Sequence, residues 1–322
     1  MDTFSAPHFR NDEAARKALE AILWPDGPVC PKCGVINHAY ATKKPGVFRC
    51  AESKCRKDFT VTMNTVMERS HIALHKWLQA FHLMTSSKKG ISAHQLHRTL
   101  DITYEAAWFM THRIRESMRT GGLAPMGGGG KIVEADETYY GPAEKVRHPA
   151  KRYRRGRRGP MDKRPILALV ERGGSVRTFH VPIADKASVH KIVTENVARE
   201  SRLHTDESKL YGDAPKHFAA HETVKHTAKE YVRREFFLDE NDKRQVRKIH
   251  TNSAEGYFSI FKRGMRGIYQ HCAEKHLHRY LAEYDFRYNN RIALGVNDGE
   301  RAARAIASAS GKRLTYRQPH ET

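Results

Sequence analysis

Long apolar runs are missing from this chain of 322 residues. Nothing approaches the ~18 uninterrupted apolar residues of a membrane-spanning helix, and no basic amphipathic segment carries a broad aliphatic face. The opening stretch MDTFSAPHFRNDEAARKALE has no apolar signal core. A membrane partner is therefore disfavoured, and the expected location is the cytoplasm, in contact with the nucleoid. Cysteine is scarce as well, with five in all, and without an export signal disulfides are not expected. Acidic residues are in deficit: 36 Asp and Glu stand against 57 Lys and Arg, giving a net charge of +21 and a pI near 9.9. That excess predicts salt-dependent attraction to a polyanion, most simply nucleic acid.

Four of the cysteines are clustered. Cys30 and Cys33 lie in CPKCG, Cys50 and Cys55 in CAESKC, with 16 residues between the pairs. CPKCG reads as a tight knuckle that sets two thiolates on one metal and leaves Gly34 free to turn the backbone. VFRC reads as a strand arriving at the second pair. The spacing is that of a Cys₄ zinc ribbon, with a second knuckle two residues longer than the common CxxC. The alternative is four reduced cysteines with no metal. So short a segment has little core, so Zn²⁺ should supply its folding energy. Lys32, Lys43, Lys44, Arg49, Lys54, Arg56 and Lys57 surround it, which suits DNA contact and leaves protein contact open. Before the ribbon, Phe9 to Trp24 reads as a short amphipathic helix that leans on it. Cys272 stands alone and reads as a small thiol.

Residues 71–118 read as helices. Ile72, Leu74, Trp77, Leu78, Phe81 and Leu83 give one apolar face. Ser92 and Thr103 are placed as N-caps of two further helices, split near Asp101. A short turn between two such helices outlines either a helix-turn-helix, with Tyr104 to Arg115 as recognition helix, or a plain helical hairpin. Gly121-Gly122 and then Gly127 to Gly130 mark the expected domain junction, since four consecutive glycines hold an ordered element poorly.

Beyond it, KIVEADETYY (131–140) reads as a buried strand with Asp136 where another apolar residue is expected. A carboxylate there is costly to bury unless a cation or hydrogen bonds meet it. Strands are expected over 165–171, 175–182 and 202–206, a helix over 186–199, a short fifth strand within 216–232, and a last strong helix over 274–291. Asp206 ends the fourth strand. Glu255, Ser259 and Lys262 line one face of a later helix, beside an apolar stripe of Ala254, Phe258, Phe261 and Met265. Three acids from three elements suit two divalent cations, Mg²⁺ or Mn²⁺, that share a phosphate oxygen. Between the first two strands, half of the 20 residues from Lys145 to Arg164 are Lys or Arg. Arg154, Arg155, Arg157 and Arg158 are its densest part, read as a flexible loop that closes on phosphates.

Asp136, Asp206 and the Glu255…Lys262 pair, in the words EADETYYG, HTDESKLYG and HTNSAEGYFSIFKRGMRGIYQH, resemble the DDE signature of bacterial insertion-sequence transposases with an ISXO-like integrase core. The resemblance runs from the ribbon near Cys30 to about Arg291. It implies an α/β, ribonuclease-H-like (integrase-type) catalytic core over 131–295. A helix and zinc ribbon over 1–62 and a helical, helix-turn-helix-like DNA-binding region over 63–126 would precede it, and a tail over 296–322 would follow. It implies cleavage at element ends and strand transfer into target DNA, with double-stranded DNA as partner and a homo-oligomer formed on it. Asp136, Asp206 and Glu255 would hold Mg²⁺, and Lys262 and Arg263 would contact DNA. In this group the third metal-binding residue is Glu or Asn. Asn252 lies one turn before Glu255, and charge balance against two dications favours Glu255. A ribonuclease-H-like nuclease without strand transfer, and a zinc-ribbon regulator with an inactive core, are the rival readings.

Overall fold

The computed structural model describes residues 4–141, 163–238 and 242–315. The chain divides into two units, Met1–Arg119 with Asn290–Thr322, and Thr120–Asn289.

The first unit begins with helix α1, Asp12–Leu23. Asn11 caps it, its side chain accepting the N–H of Glu13 at 2.8 Å and of Ala14 at 3.1 Å, while Asp12 and Glu13 meet the positive end of the helix dipole. Trp24 closes α1 and sets its ring edge-on against Phe48 and Phe59, at 5.5 and 5.7 Å. Those two rings belong to a small antiparallel sheet, β1 (Ala39–Ala41), β2 (Phe48–Cys50) and β3 (Asp58–Phe59). Three helices follow: α2 (Leu74–Ser86), α3 (Ala93–Leu100) and α4 (Tyr104–Ser117). Ser92 accepts the N–H of Gln95 and Thr103 that of Ala106, at 3.1 and 3.2 Å. Asp101, at φ 48°, makes the left-handed turn between α3 and α4.

The recognition-helix reading of Tyr104–Arg115 is corrected here. A helix that enters a groove must keep one long face free. From Met110 to Arg115 every residue of α4 is buried, including Arg113 and Arg115, and only its first turn is open. Beyond Tyr104 and Glu105 in that first turn, the exposed polar side chains of this helix pair lie on α3, at His94, Gln95, Arg98 and Thr99.

The second unit is built on a five-stranded sheet in the order β6-β5-β4-β7-β8. Its strands are β4 (Ile132–Tyr140), β5 (Arg164–Glu171), β6 (Val176–His180), β7 (Arg202–Asp206) and β8 (Ala220–Val224). β4, β5 and β6 run antiparallel; β7 lies parallel to β4, and β8 parallel to β7. Helix α5 (Lys186–Asn196) connects β6 to β7, as a parallel crossover requires. Val189 and Val193 of α5 pack with Val133, Ala135, Leu167 and Leu169 on one face of the sheet. A two-stranded ribbon follows β8, β9 (Arg233–Leu238) and β10 (Arg244–Ile249), which the residue pattern had not suggested.

Helices α6 (Asn252–Gly264) and α7 (Glu274–Asn289) cover the other face. Ala254, Phe258, Phe261 and Met265 bury the anticipated stripe, joined by Tyr257, against Ile166, Ala168 and Val170. α7 is tied to β6 by polar pins: Asp285 accepts the N–H of Thr178 at 2.9 Å and the hydroxyl of Tyr257 at 2.6 Å. Burial pushes the Asp285 carboxyl up to about 7, the hydroxyl and N–H donors of Tyr257 and Thr178 opposing it.

The units part at Thr120, beside the Gly121-Gly122 pair, whereas Gly127 to Gly130 lie inside the second unit. Gly127 N–H donates to Glu171 at 3.1 Å and Gly128 N–H to Ser201 Oγ at 2.8 Å. A Cβ on Gly127, whose φ is +91°, would stand 2.2 Å from Ser201 Oγ. Here glycine serves close approach rather than flexibility.

After Asn290 the chain rejoins the first unit. Within the segment read as a tail, Asp298–Ala307 forms α8, opened by an Asn297/Glu300 capping box. Its buried Arg301 donates to the carbonyls of Thr85 at 3.0 Å and Asn290 at 2.6 Å. Among the described residues, no helix is long and apolar enough to cross a membrane.

Candidate active site and metal centre

The ribbon brings its four cysteines together. All four sulfurs lie within 4.8 Å of one another, with Cys30–Cys55 at 3.8 Å and Cys33–Cys50 at 3.6 Å. Four sulfurs at ~2.3 Å from a tetrahedral Zn²⁺ stand roughly 3.8 Å apart, so the donor set fits that ion. Each knuckle turns through the left-handed region just after its second cysteine, at Gly34 (φ 77°) and Arg56 (φ 49°). The charges agree. Burial, together with the neighbouring sulfurs, pushes Cys50 up to about 12, and although burial also opposes ionisation of Cys30, the amides of Cys33 and Lys32 bring it down to about 7. Four thiolates cannot crowd so closely without a cation to neutralise them.

In the second unit, β4 is the central strand. Its register with β7 pairs Ile132 with Arg202 and Glu134 with His204, so Asp136 and Asp206, each two residues further, end at the same level on adjacent strands. Asp136 sits opposite Ala168 of β5, whose side chain packs under α6 and α7. Asp136 and Asp206 therefore face the helix that carries Glu255. Burial and the charges of Glu137, Asp206 and Glu255 push the Asp136 carboxyl up to about 8, a backbone N–H opposing them. Burial also raises Asp206, against the Ser208 N–H at 3.0 Å and the charge of His226. Glu255 accepts from Thr251 Oγ1 at 3.3 Å and lies 3.4 Å from His226 Nε2. His226 thus stands close to both Asp206 and Glu255, a place that the sequence, with 20 histidines, gave no means of singling out. Asn252 is exposed in the first turn of α6.

Among the described residues, the cysteines are the one set of three or more such side chains whose donor atoms all lie within 4.8 Å. The three acids are not drawn together as closely as that.

Lys262, two turns along α6 from Glu255, has its pKa lowered by burial and by Arg266, with Asp136 opposing. A cavity of about 630 Å³ opens beside it, walled by Lys163, Arg164, Arg266, Tyr139 and His271 among others. Arg263 is exposed on α6 and donates to Ser259 O at 3.2 Å. Arg154, Arg155, Arg157 and Arg158 fall outside the described residues.

The largest omission from the sequence reading is Glu134. It shares the α6-facing side of β4 with Asp136 and is fully buried. Thr251, at the N-cap of α6, makes no side-chain cap. Glu134 does that work from the strand, accepting the N–H of Ser253 at 2.7 Å and of Ala254 at 3.2 Å, and the Ser253 hydroxyl at 3.0 Å. Arg172 answers its charge with Nε and Nη2 at 3.0 and 2.8 Å, and donates to the carbonyls of Lys248 and His250 at 2.8 and 3.2 Å. Burial and Arg172 push His204 down to about 3, so its neutral ring accepts from Arg172 at 3.3 Å. The word EADE held the only local hint, an acid two residues before another on a strand.

Comparison with known proteins joins these two centres. Residues 127–289 match the family described as ISXO2-like transposase domain, and residues 10–58 the transposase zinc-ribbon domain. The chain is 25% identical over 295 residues to an uncharacterized protein in transposable element ISH50 of Halobacterium salinarum, covering 87% of this chain and 91% of that protein.

Proposed function

The chain belongs to the ISXO2-like transposase family, and from that premise we propose that it is a DNA transposase of DDE type. It would cleave strands at the ends of its element and join them to target DNA. The observation that carries this reading is the raised pKa of Asp136 on the central strand, which comes from burial first and then from the neighbouring charges of Glu137, of Asp206 on β7 and of Glu255 on α6. Acids so placed oppose their own ionisation until a cation joins them. We read the sheet, with three antiparallel strands followed by two parallel ones and acids on β4, β7 and α6, as a ribonuclease-H-like core.

In this reading Asp136, Asp206 and Glu255 hold Mg²⁺ or Mn²⁺. When bound, such ions stabilise the attacking and leaving oxygens of a phosphoryl displacement. The chain's own groups do the rest. Lys262, next to Asp136, holds a phosphate oxygen of the strand being cut. Arg164 and Arg266 extend that cationic wall along the backbone. His226 keeps Glu255 turned toward Asp206. Glu134 and Arg172 fix the first turn of α6, so that Glu255 returns to the same place on every cycle. The zinc ribbon and the exposed side of α3 are the proposed surfaces for the element's ends, and Arg154, Arg155, Arg157 and Arg158 would add sequence-independent backbone contacts. Oligomerisation on DNA would bring two ends together.

The test is an assay on labelled duplexes that carry the element's terminal repeats, with Mg²⁺ present. Wild type should nick the end and join the freed 3′-hydroxyl to a second duplex, and Asp136→Asn should do neither. Nicking without joining would favour a nuclease.

A further inference from the structure

The β9–β10 ribbon has two unlike faces. In its antiparallel register Leu238 pairs with Arg244, Phe236 with Val246, and Arg234 with Lys248. Paired residues share a face, so these six form one side, three cations and three apolar residues with no acid among them. All six are exposed, Phe236 at 57%, Leu238 at 63% and Val246 at 48%. The opposite face differs. There Arg233 meets Glu235 at 3.5 Å and donates to Thr223 O of β8 at 2.8 Å, and Ile249 is buried. The ribbon is therefore anchored at its base through Arg233 and Ile249 on one face, where Phe237 and Gln245 nearer its tip are exposed, and is open along the whole of the other.

We propose that the open face is a docking surface for duplex DNA, with the ribbon lying in the major groove. This rests on the transposase reading for its choice of nucleic acid and adds a contact surface that reading did not contain. Charge selects the occupant. A second copy meeting the same face would set three cations against three cations, and a sheet pairing gains nothing from like charges in opposition. A polyanion satisfies all three. The major groove admits a two-stranded ribbon. Arg234, Arg244 and Lys248 then reach phosphates, while Phe236, Leu238 and Val246 meet sugars and thymine methyl groups. On this face Arg244 lies 4.2 Å from the centre of the Phe236 ring. Such stacking holds a planar guanidinium group in a set direction before DNA arrives. The ribbon also leads to the acids: Ile249 ends β10, and Glu255 follows on the first turns of α6. A duplex held on the ribbon would be tethered next to the carboxylates.

The experiment uses the full-length protein and a random-sequence duplex, with binding measured over a range of salt concentrations. Arg234→Gln, Arg244→Gln and Lys248→Gln combined should weaken binding and lower the slope of log K against log salt by about 2–3, at ~0.9 per phosphate contact. As a second reporter that needs no loss of charge, Leu238→Trp should change its emission when duplex is added. An unchanged slope in the triple variant, or an indole that ignores the duplex, overturns the proposal. So does a triple variant whose DNA binding is intact but whose sedimentation mass has fallen, since the face would then join two copies. A wild type that binds duplex but never cuts its ends would remove the transposase reading and leave the ribbon's role intact.

Discussion

The carboxylate of Glu134 accepts the backbone N–H of Ser253 at 2.7 Å, across 119 residues of sequence. One strand thus carries both an acid for the proposed chemistry, Asp136, and the acid that fixes the helix bearing Glu255. A helix N-terminus attracts a carboxylate by hydrogen bonding and by its dipole, and Arg172 balances the buried charge.

Glu134→Ala should remove the cap and strand Arg172 with no carboxylate. The expected loss is about 2–4 kcal/mol in denaturant unfolding. Glu134→Gln keeps an acceptor and should lose about 1–2 kcal/mol. Both should slow end cleavage more than they weaken end binding. Amide exchange at Ser253 and Ala254 gives a direct check, because those protons should lose protection first. Unaltered exchange there would refute the capping role.

The raised pKa of Asp136 makes a signed prediction. Its folded value, about 8, lies above the ordinary 3.8. The folded protein then holds a proton the unfolded chain has released, so stability falls as pH rises from about 4 to about 8. Asp136→Asn should therefore be more stable than wild type near pH 8 in chelator, by roughly 1–3 kcal/mol after allowance for solvent access. The gap should close near pH 4. Urea titrations at the two pH values decide it, and a constant gap would contradict the linkage. Mg²⁺ should stabilise wild type more than the variant.

The ribbon should carry about one Zn²⁺ per chain, held by Cys30, Cys33, Cys50 and Cys55. Cys33→Ser should lower zinc content and end binding while the Thr120–Asn289 unit keeps its melting transition. Metal analysis of freshly purified wild type is the check, and a zinc-free protein that binds DNA normally would end the argument.

Asn252 and Glu255 can be separated by substitution. Glu255→Gln should abolish Mg²⁺-dependent cleavage, a loss of 10²-fold or more if the acid is a metal ligand, with gel-shift binding retained. Asn252→Ala, at an exposed position, should retain measurable activity. The opposite pattern would move the third ligand to Asn252.

Features fixed by near neighbours were legible in the sequence. The cysteine knuckles, the caps at Ser92 and Thr103, the strands around Asp136 and Asp206, and the stripe through Phe258 and Phe261 all follow from spacing, propensity and period, which act over a few residues. Other features needed the fold. Glu134 became a helix cap only when β4 met α6. His226 stood out among many histidines only when β8 brought it to Asp206 and Glu255. Gly127 proved to be a point of close approach rather than a junction because Ser201 packs against it. α4 looked like a reading helix until α2, α3 and α8 closed around it. The exposed ribbon face depended on a strand pairing that its mixed charges concealed. In each case the deciding partner lies far along the chain, and local pattern records what a residue is suited to, not which distant residue it will meet.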